Sequence, residues 1–403
     1  MRILKLMHIP YPWDVRAEKI LWGLAGDRHT VALVSLPGLN GDGGSLERSH
    51  EHYPVEMSGR GGVDILTRFP VPWSSKWMEA VNRAISRGRP DVILARDLVV
   101  WPLSYRIGSR FRIPVVYDMA EHYPEMLEHR FQHGLGSWKD RILRNPSFWK
   151  AVERFCLERS DAILTVCDAS RDYLVRERGI PADKVFLVRN TPVPGYLDAI
   201  PNQRTGSGPI RIAYLGFLDP SRDLDLLIQR WSDIESVLGT CEFLIAGEGI
   251  SESRLRGVVR ESPCSDRIRF LGKVPYLEGL RILASADIGV IPLRATSHTM
   301  KTVPNKIFEY MMVELPVLAS DLPPMVSILK ETGAGLSYRT GDPENLLEQI
   351  AKLKDPGVRR AMGAKGREAV CRKYNFKEDA RQLEGILQHV ADRSRPPVVP
   401  GKV

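Results

Sequence analysis

Cysteine is scarce in this chain and unpatterned: Cys156, Cys167, Cys241, Cys264 and Cys371 form no CxxC pair and no His-rich spacing. That argues against a disulfide framework or a zinc site and suits a reducing cytoplasm. Cys156, Cys167 and Cys241 stand among apolar residues, where burial as a small hydrophobe is expected. No run approaches about 18 uninterrupted apolar residues, so no spanning helix is expected. The opening Met-Arg-Ile-Leu-Lys-Leu-Met-His-Ile reads as a first strand rather than a signal peptide. Two phosphate-binding signatures are missing as well. No GxxxxGK[ST] occurs, and the first strand runs into Ile9-Pro-Tyr-Pro-Trp-Asp14 with no glycine, so P-loop and dinucleotide chemistry lack support there. RRM, KH and zinc-finger patterns are also lacking, which argues against a nucleic-acid binder despite a net charge of +8. The excess of positive charge indicates a surface that meets anions.

At 403 residues, with 43% hydrophobic and 26% charged, the composition is that of a globular protein with two domains. Apolar strand-like runs alternate with helix-length amphipathic segments from end to end, the pattern of α/β domains with parallel sheets. In the first half the expected strands are 3–9, 30–36, 92–95, 115–118, 162–166 and 185–188, with a Gly-rich loop over 37–62. A polar Gly/Pro-rich linker follows. The alternation then restarts with strands at 210–215, 242–246, 268–271, 288–291, 316–319 and 335–338. Three closing helices are expected at 345–352, 357–372 and 376–391.

The chemistry-bearing residues gather at the ends of the second set of strands. The first runs into Leu215-Gly216-Phe-Leu-Asp-Pro-Ser-Arg222, the second into Gly247-Glu-Gly249, the third into Gly272-Lys273-Val274. Glycine at a strand tip lets backbone approach a ligand closely. The fourth is followed by a polar loop and then Pro304-Asn-Lys-Ile-Phe-Glu-Tyr-Met311, where Pro304 suits a first helical turn. Lys306 and Glu309 lie three apart on one helix face. A cation and a carboxylate at such a helix start suit a phosphate and a sugar.

In this arrangement the second half resembles the donor domain of GT-B fold, family-4 type retaining glycosyltransferases (glycosyl transferases group 1). Their pattern of glycine loop, GxG, F-x-G, P-x-K-x-x-E-Y/A-M, P-V and S/T-D is read here in Gly216, Gly247 to Gly249, Phe270-Leu-Gly272, Pro304 to Met311, Pro316-Val and Ser320-Asp321. The likeness covers the C-terminal half almost entirely and extends more loosely into the first half, through Val152-Glu-Arg-Phe and Val188-Arg-Asn190. It implies two Rossmann-like doubly wound α/β domains facing across a cleft. The acceptor-binding domain would be 1–193, the linker 194–209 and the donor domain 210–375. A helix over 376–394 would pack back on the N-terminal domain, and 395–403 would be a disordered tail. The implied activity is transfer of a sugar from a nucleotide-diphosphate sugar to a glycan, lipid-linked or small-molecule acceptor, with retention and without a metal or other cofactor. Glu309 would accept hydrogen bonds from the ribose hydroxyls, while Gly216, Arg222 and Lys306 would meet the diphosphate. Gly272, Lys273 and Val274 would line the base. Gly247, Gly249, Lys301, Thr302, Asn305 and Ile307 complete the implied donor site. Lys301 replaces a glutamate usual eight residues before the ribose ligand, and Glu314 replaces a glycine usual after the helix.

In the first half, Val116-Tyr-Asp118-Met-Ala-Glu121-His122-Tyr-Pro-Glu125 resembles the acidic/His loop of the same family. Asp118, Glu121 and His122 are therefore expected to face the cleft and stabilise an oxocarbenium-like state. Asp118 capping the next helix and His122 merely packing is the alternative. The basic, aromatic run 129–158 could rest on anionic lipid, or bury its tryptophans and present an ordinary solvated face. The expected location is the cytoplasm, either free or peripheral to the inner face of the membrane. A GT-B-type sugar-nucleotide 2-epimerase, or a catalytically silent partner of similar fold, is the alternative function.

Overall fold

The structure is a computed structural model of the chain and describes residues 1–11, 14–25, 28–38, 50–57, 74–132, 141, 144–196, 200, 204, 208–262 and 265–394. It divides into two compact units, Met1–Asn190 with Lys377–Val403, and Thr191–Phe376.

The first unit carries β1 (Arg2–Tyr11), β2 (Thr30–Pro37), β3 (Glu51–Pro54), β4 (Val92–Arg96), β5 (Val115–Asp118), β6 (Ala162–Thr165) and β7 (Val185–Leu187). They form one parallel sheet in the order β3-β2-β1-β4-β5-β6-β7, in register at Ile3 with Val31 on one side and Val92 on the other. Every residue of β4, β5 and β6 is buried. Helices on both faces cause this, and it explains why these strands read as continuous apolar runs. Trp77 and Trp101 fill the core beneath one face, both fully buried.

The second unit carries β8 (Ile210–Leu215), β9 (Cys241–Ala246), β10 (Ile268–Gly272), β11 (Ile288–Ile291), β12 (Val317–Ser320) and β13 (Gly335–Tyr338), parallel in the order β10-β9-β8-β11-β12-β13. Trp231 stacks on Phe243 in its core, ring centres 5.4 Å apart. In both sheets the strand order reverses beside the first strand. Such a switch point opens a crevice outside the strands' carboxyl ends, between β1 and β4 and again between β8 and β11.

The segment 37–62 was expected to be loop throughout, and β3 corrects this: Glu51–Pro54 pairs with β2. Four half-polar residues carry little apolar signal. What holds them is Arg2, whose guanidinium donates to both Glu51 oxygens at 3.2 and 2.5 Å, and Tyr53, whose hydroxyl donates to Glu51 at 2.7 Å. Residues 39–49 and 58–62 of that segment lie outside the described residues, as does the tail 395–403. Within the polar stretch 194–209, Arg204 ties the chain to the second unit by donating to the carbonyls of Ala286, Val313 and Glu314. Cys156, Cys167 and Cys241 are buried, while Cys371 is exposed.

Candidate functional site

The loops that leave β8, β9 and β10 continue to pair beyond the strands. Gly216 N donates to Ala246 O at 2.9 Å, Gly247 N to Gly272 O at 2.8 Å, and Leu218 N to Glu248 O at 2.9 Å. Glycine is required at the closest approach. Gly247 has φ +142°, and a Cβ there would lie 1.9 Å from the Gly216 carbonyl oxygen. Gly249 plays a similar part, since its Cβ would lie 2.2 Å from Leu218 O; its place is loop packing. Around this junction lies a cavity of about 190 Å3 lined by Leu215, Gly216, Phe217, Gly247, Glu248, Lys273 and Val274. Lys273 Nζ reaches Glu248 Oε1 at 3.0 Å across it, and both side chains are more than half exposed.

Lys306 comes to the same junction from the switch-point side. Its ammonium lies 3.9 Å from the centre of the Tyr214 ring, and a Cβ on Gly216 would meet Nζ at 2.6 Å. Enclosure drives the ammonium pKa well below its ordinary value; Arg222 pushes the same way, while Glu309 and Asp219 oppose. Lys306 therefore lies within electrostatic reach of Arg222, with Glu309 and Asp219 as the counter-charges. Arg222 is held by Asp219, Nε to Oδ2 at 3.0 Å. Its backbone bridges to Leu293 at the end of β11, and Leu293 N donates to Ser320 Oγ at 2.8 Å. Glu309 is half-buried one turn along the helix.

The helix itself begins at Lys306, with Asn305 as its N-cap residue. Pro304 thus precedes the helix rather than opening it, and its carbonyl accepts from Ile307 N at 3.2 Å. The side chain of Ile307 is fully buried, so it belongs to the core and not to the cavity wall. Lys301 and Thr302 close the preceding loop, where Thr302 Oγ1 donates to His298 O at 3.0 Å. Glu314 adopts the left-handed conformation expected of a glycine, φ +59°.

In the first unit the acidic/His loop departs from expectation. Asp118 is fully buried; it caps no helix and does not present its carboxylate. Arg16 grips it instead, Nε to Oδ1 at 3.0 Å and Nη2 to Oδ1 at 2.6 Å, with Arg96 3.9 Å away. Burial alone would raise this carboxyl's pKa, but Arg16, Arg96 and Lys5 hold it at about 2. His122 is buried too, its Nε2 2.9 Å from Ser170 Oγ and its ring edge-on to Tyr173. Of the three residues, Glu121 alone is exposed.

Sequence reasoning missed the neighbours that matter here. At the switch point of the first sheet, Asp14 caps the helix Val15–Leu24 and receives Arg96 Nε at 3.2 Å. Asp97 follows β4 with φ +69° and is bonded by Arg96 Nη1. Burial, and then the acids Asp14, Glu121 and Asp118 against the opposing pull of Arg96, raise the Asp97 carboxyl to about 7. A non-glycine residue at positive φ is strained and marks a candidate functional position. In the second unit Tyr214, Phe217 and Glu248 were also passed over. Phe217, 55% exposed directly after Gly216, is an apolar departure visible in the sequence.

Both halves of the chain are similar to known proteins. Residues 209–355 match the family described as glycosyl transferases group 1, and 14–191 match the glycosyl transferase 4-like domain. An alpha-D-kanosaminyltransferase of Streptomyces kanamyceticus is 21% identical over 60% of this chain and 64% of its own length. A GDP-mannose-dependent monoacylated alpha-(1-6)-phosphatidylinositol monomannoside mannosyltransferase of Corynebacterium glutamicum is 30% identical over 46% of this chain and 48% of its own. The chain thus spans about half to two thirds of the length of these relatives. Among solved structures, sucrose-phosphate synthase from Thermosynechococcus elongatus superposes with a TM-score of 0.73 at 17% identity, covering 98% of this chain and all of that one. Anabaena HepE in complex with UDP superposes at 0.69 and 14%, covering 96% and 100%. Two parallel sheets with the same reversal of strand order, and family matches in both halves, lead to one conclusion: the chain belongs to the group 1 glycosyltransferases of GT-B fold.

Proposed function

We propose that this protein transfers a glycosyl group from a nucleotide-diphosphate sugar to an acceptor hydroxyl, with retention of anomeric configuration and no metal ion. The observation that carries the reading is the convergence of Lys306 and Arg222 on the Gly216 junction beside the cavity, with Glu309 one helical turn away. A diphosphate bound here would bring negative charge to both cations. As the anomeric C–O bond breaks, its leaving oxygen gains charge, and two fixed cations stabilise that change without reorganisation. The acceptor oxygen forms the new bond to the anomeric carbon, and its proton passes to the departing diphosphate oxygen. Glu309 suits the ribose because a carboxylate accepts from two hydroxyls. The first unit is the acceptor domain in this reading, and Glu121 is its accessible candidate for the transferring sugar. A relative named for GDP-mannose and a neighbour solved with UDP support a nucleotide-sugar donor without choosing the base.

The test is release of nucleoside diphosphate from a panel of nucleotide sugars, with and without acceptor extract and with EDTA. Acceptor-dependent release that survives EDTA and falls at least about 100-fold in Glu309→Ala supports the reading. Unchanged thermal stabilisation by donor in that variant rejects it. Acceptor-independent turnover would favour the epimerase instead.

A membrane-bound acceptor is favoured by one feature. The helix Pro146–Arg159 exposes Phe148 (59%) and Phe155 (41%) alongside Lys150, Arg154 and Arg159. We propose that this face rests on anionic lipid. Trp149 is buried, so it belongs to the core, and Trp138 lies outside the described residues. Among the described residues no helix is long and apolar enough to cross a membrane. Co-sedimentation with phosphatidylglycerol but not phosphatidylcholine vesicles, lost in Phe148→Asp/Phe155→Asp, is the expected result.

A further inference from the structure

The cavity at the tips of β8, β9 and β10 has an opening whose chemistry is specific. Its lining combines the exposed Phe217 and the apolar Leu215 and Val274 with the Glu248–Lys273 ion pair. The backbone under this pair is fixed: Gly247 N bonds to Gly272 O, so the residues that follow each glycine are held side by side. Glu248 is further anchored through its own carbonyl, which accepts from Leu218 N. An exposed ion pair of this kind contributes little to stability, so it opens to a ligand at little cost. A carboxylate and an ammonium carried side by side on this fixed backbone, in a cavity also lined by Phe217, form a reader for the edge of a planar heterocycle.

Resting on the reading of this cavity as the donor's nucleotide site, we infer that Glu248 and Lys273 select a guanine base. The argument is complementarity. A carboxylate has two acceptor oxygens and an ammonium only donors. Guanine presents two adjacent donors, N1–H and the 2-amino group, next to the O6 acceptor. Glu248 takes both donors as a bidentate pair and Lys273 takes O6. Uracil offers a single donor between two carbonyls, so the second carboxylate oxygen would face O2. Adenine places its N1 acceptor beside its one amino donor, with the same conflict. A base that lacks one of the two donors turns an acceptor towards the second carboxylate oxygen, and that repulsion is what discriminates against it. Phe217 supplies the stacking face and is indifferent to base identity.

The experiment is a set of dissociation constants for GDP, IDP, UDP and ADP with the wild type, Glu248→Ala, Lys273→Ala and Glu309→Ala. IDP isolates the 2-amino group. GDP is expected to bind about 10-fold or more tighter than UDP and ADP, and IDP about 5- to 10-fold weaker than GDP. Glu248→Ala should bring GDP and IDP together and leave UDP nearly unchanged. Binding of UDP or ADP as tight as that of GDP, or a GDP/IDP ratio preserved in Glu248→Ala, overturns the base assignment. If the wild type binds none of the four, the donor-site reading itself fails, and the base assignment with it. If all four bind and Glu309→Ala weakens them alike, the donor site stands and the Glu248 result decides the base alone.

Discussion

The Lys306 ammonium rests on the face of Tyr214, and the Tyr214 hydroxyl donates to Phe217 O at 2.8 Å. One buried side chain therefore holds the Lys306 ammonium and also sets the loop that follows Gly216. A desolvated cation over an aromatic face is worth about 1–2 kcal/mol. Tyr214→Leu should then weaken nucleoside diphosphate binding about 10-fold. Tyr214→Phe keeps the ring and gives up one hydrogen bond of about 1 kcal/mol. It should lower the melting temperature with binding within about two-fold of wild type. Equal weakening by both substitutions, measured by calorimetric titration, would show that the ring does not hold Lys306.

Two glycines in the same junction are expected to fail differently. At Gly216 an added methyl meets the flexible end of Lys306, at 2.6 Å, and the backbone at φ +141° is strained for alanine. Gly216→Ala should fold with a loss of about 1–3 kcal/mol and lose donor binding, because Lys306 must swing away. At Gly247 the methyl meets the Gly216 carbonyl itself, at 1.9 Å. Backbone cannot give way as a side chain does, so Gly247→Ala should be the less stable of the two in chemical denaturation. The reverse order of stability would mean the loops part more easily than their hydrogen bonds suggest.

Most of the framework was legible because its signals are local. β8, β11 and β13 fall on the expected runs 210–215, 288–291 and 335–338, and β11 is apolar and buried throughout, as a central parallel strand must be. Lys306 and Glu309 share a face by spacing alone. What escaped depends on partners far away in sequence. Nothing near Asp118 announces Arg16, 102 positions earlier, yet that arginine turns an expected cleft residue into a buried ion pair. β3 has too few apolar residues to declare itself; Arg2 reaches it from β1. Asp97 reads as an ordinary polar residue after a strand until its backbone is seen at positive φ.

Glu314 occupies a left-handed conformation at φ +59°, and its carbonyl accepts from Arg204 Nη1 at 2.8 Å. Glycine at this position keeps the carbonyl and removes the Cβ strain of about 1–2 kcal/mol. Part of that gain is offset by the greater freedom of glycine in the unfolded chain. Glu314→Gly should therefore raise stability by about 0.5–1 kcal/mol, while Glu314→Ala should not. A fall in the denaturation midpoint of the glycine variant would indicate that the glutamate side chain does more than tolerate its backbone.

The two aspartates beside Arg96 should respond to pH with opposite sign. Asp118 is held at about 2, below its ordinary 3.8, so its contribution is present above pH 4 and is lost as the pH falls towards 2. Asp97 is raised from 3.8 to about 7, first by burial. Between those values the folded state keeps a proton that the unfolded chain has released, so Asp97 costs stability as pH rises from about 4 to 7. Glu18, raised from 4.5 to about 7 by burial and by Asp14, acts in the same direction. His8, lowered from 6.5 to about 4 by burial, acts against them over the same window. The total curve therefore hides Asp97, but the difference between Asp97→Asn and wild type isolates it. Measured by urea denaturation at steps from pH 4 to 8, the variant should gain on wild type steadily up to pH 7 and then run parallel. A constant difference across the range would mean that the Asp97 carboxyl stays ionised against Arg96 throughout, and that the strain at its backbone serves some end other than holding a proton.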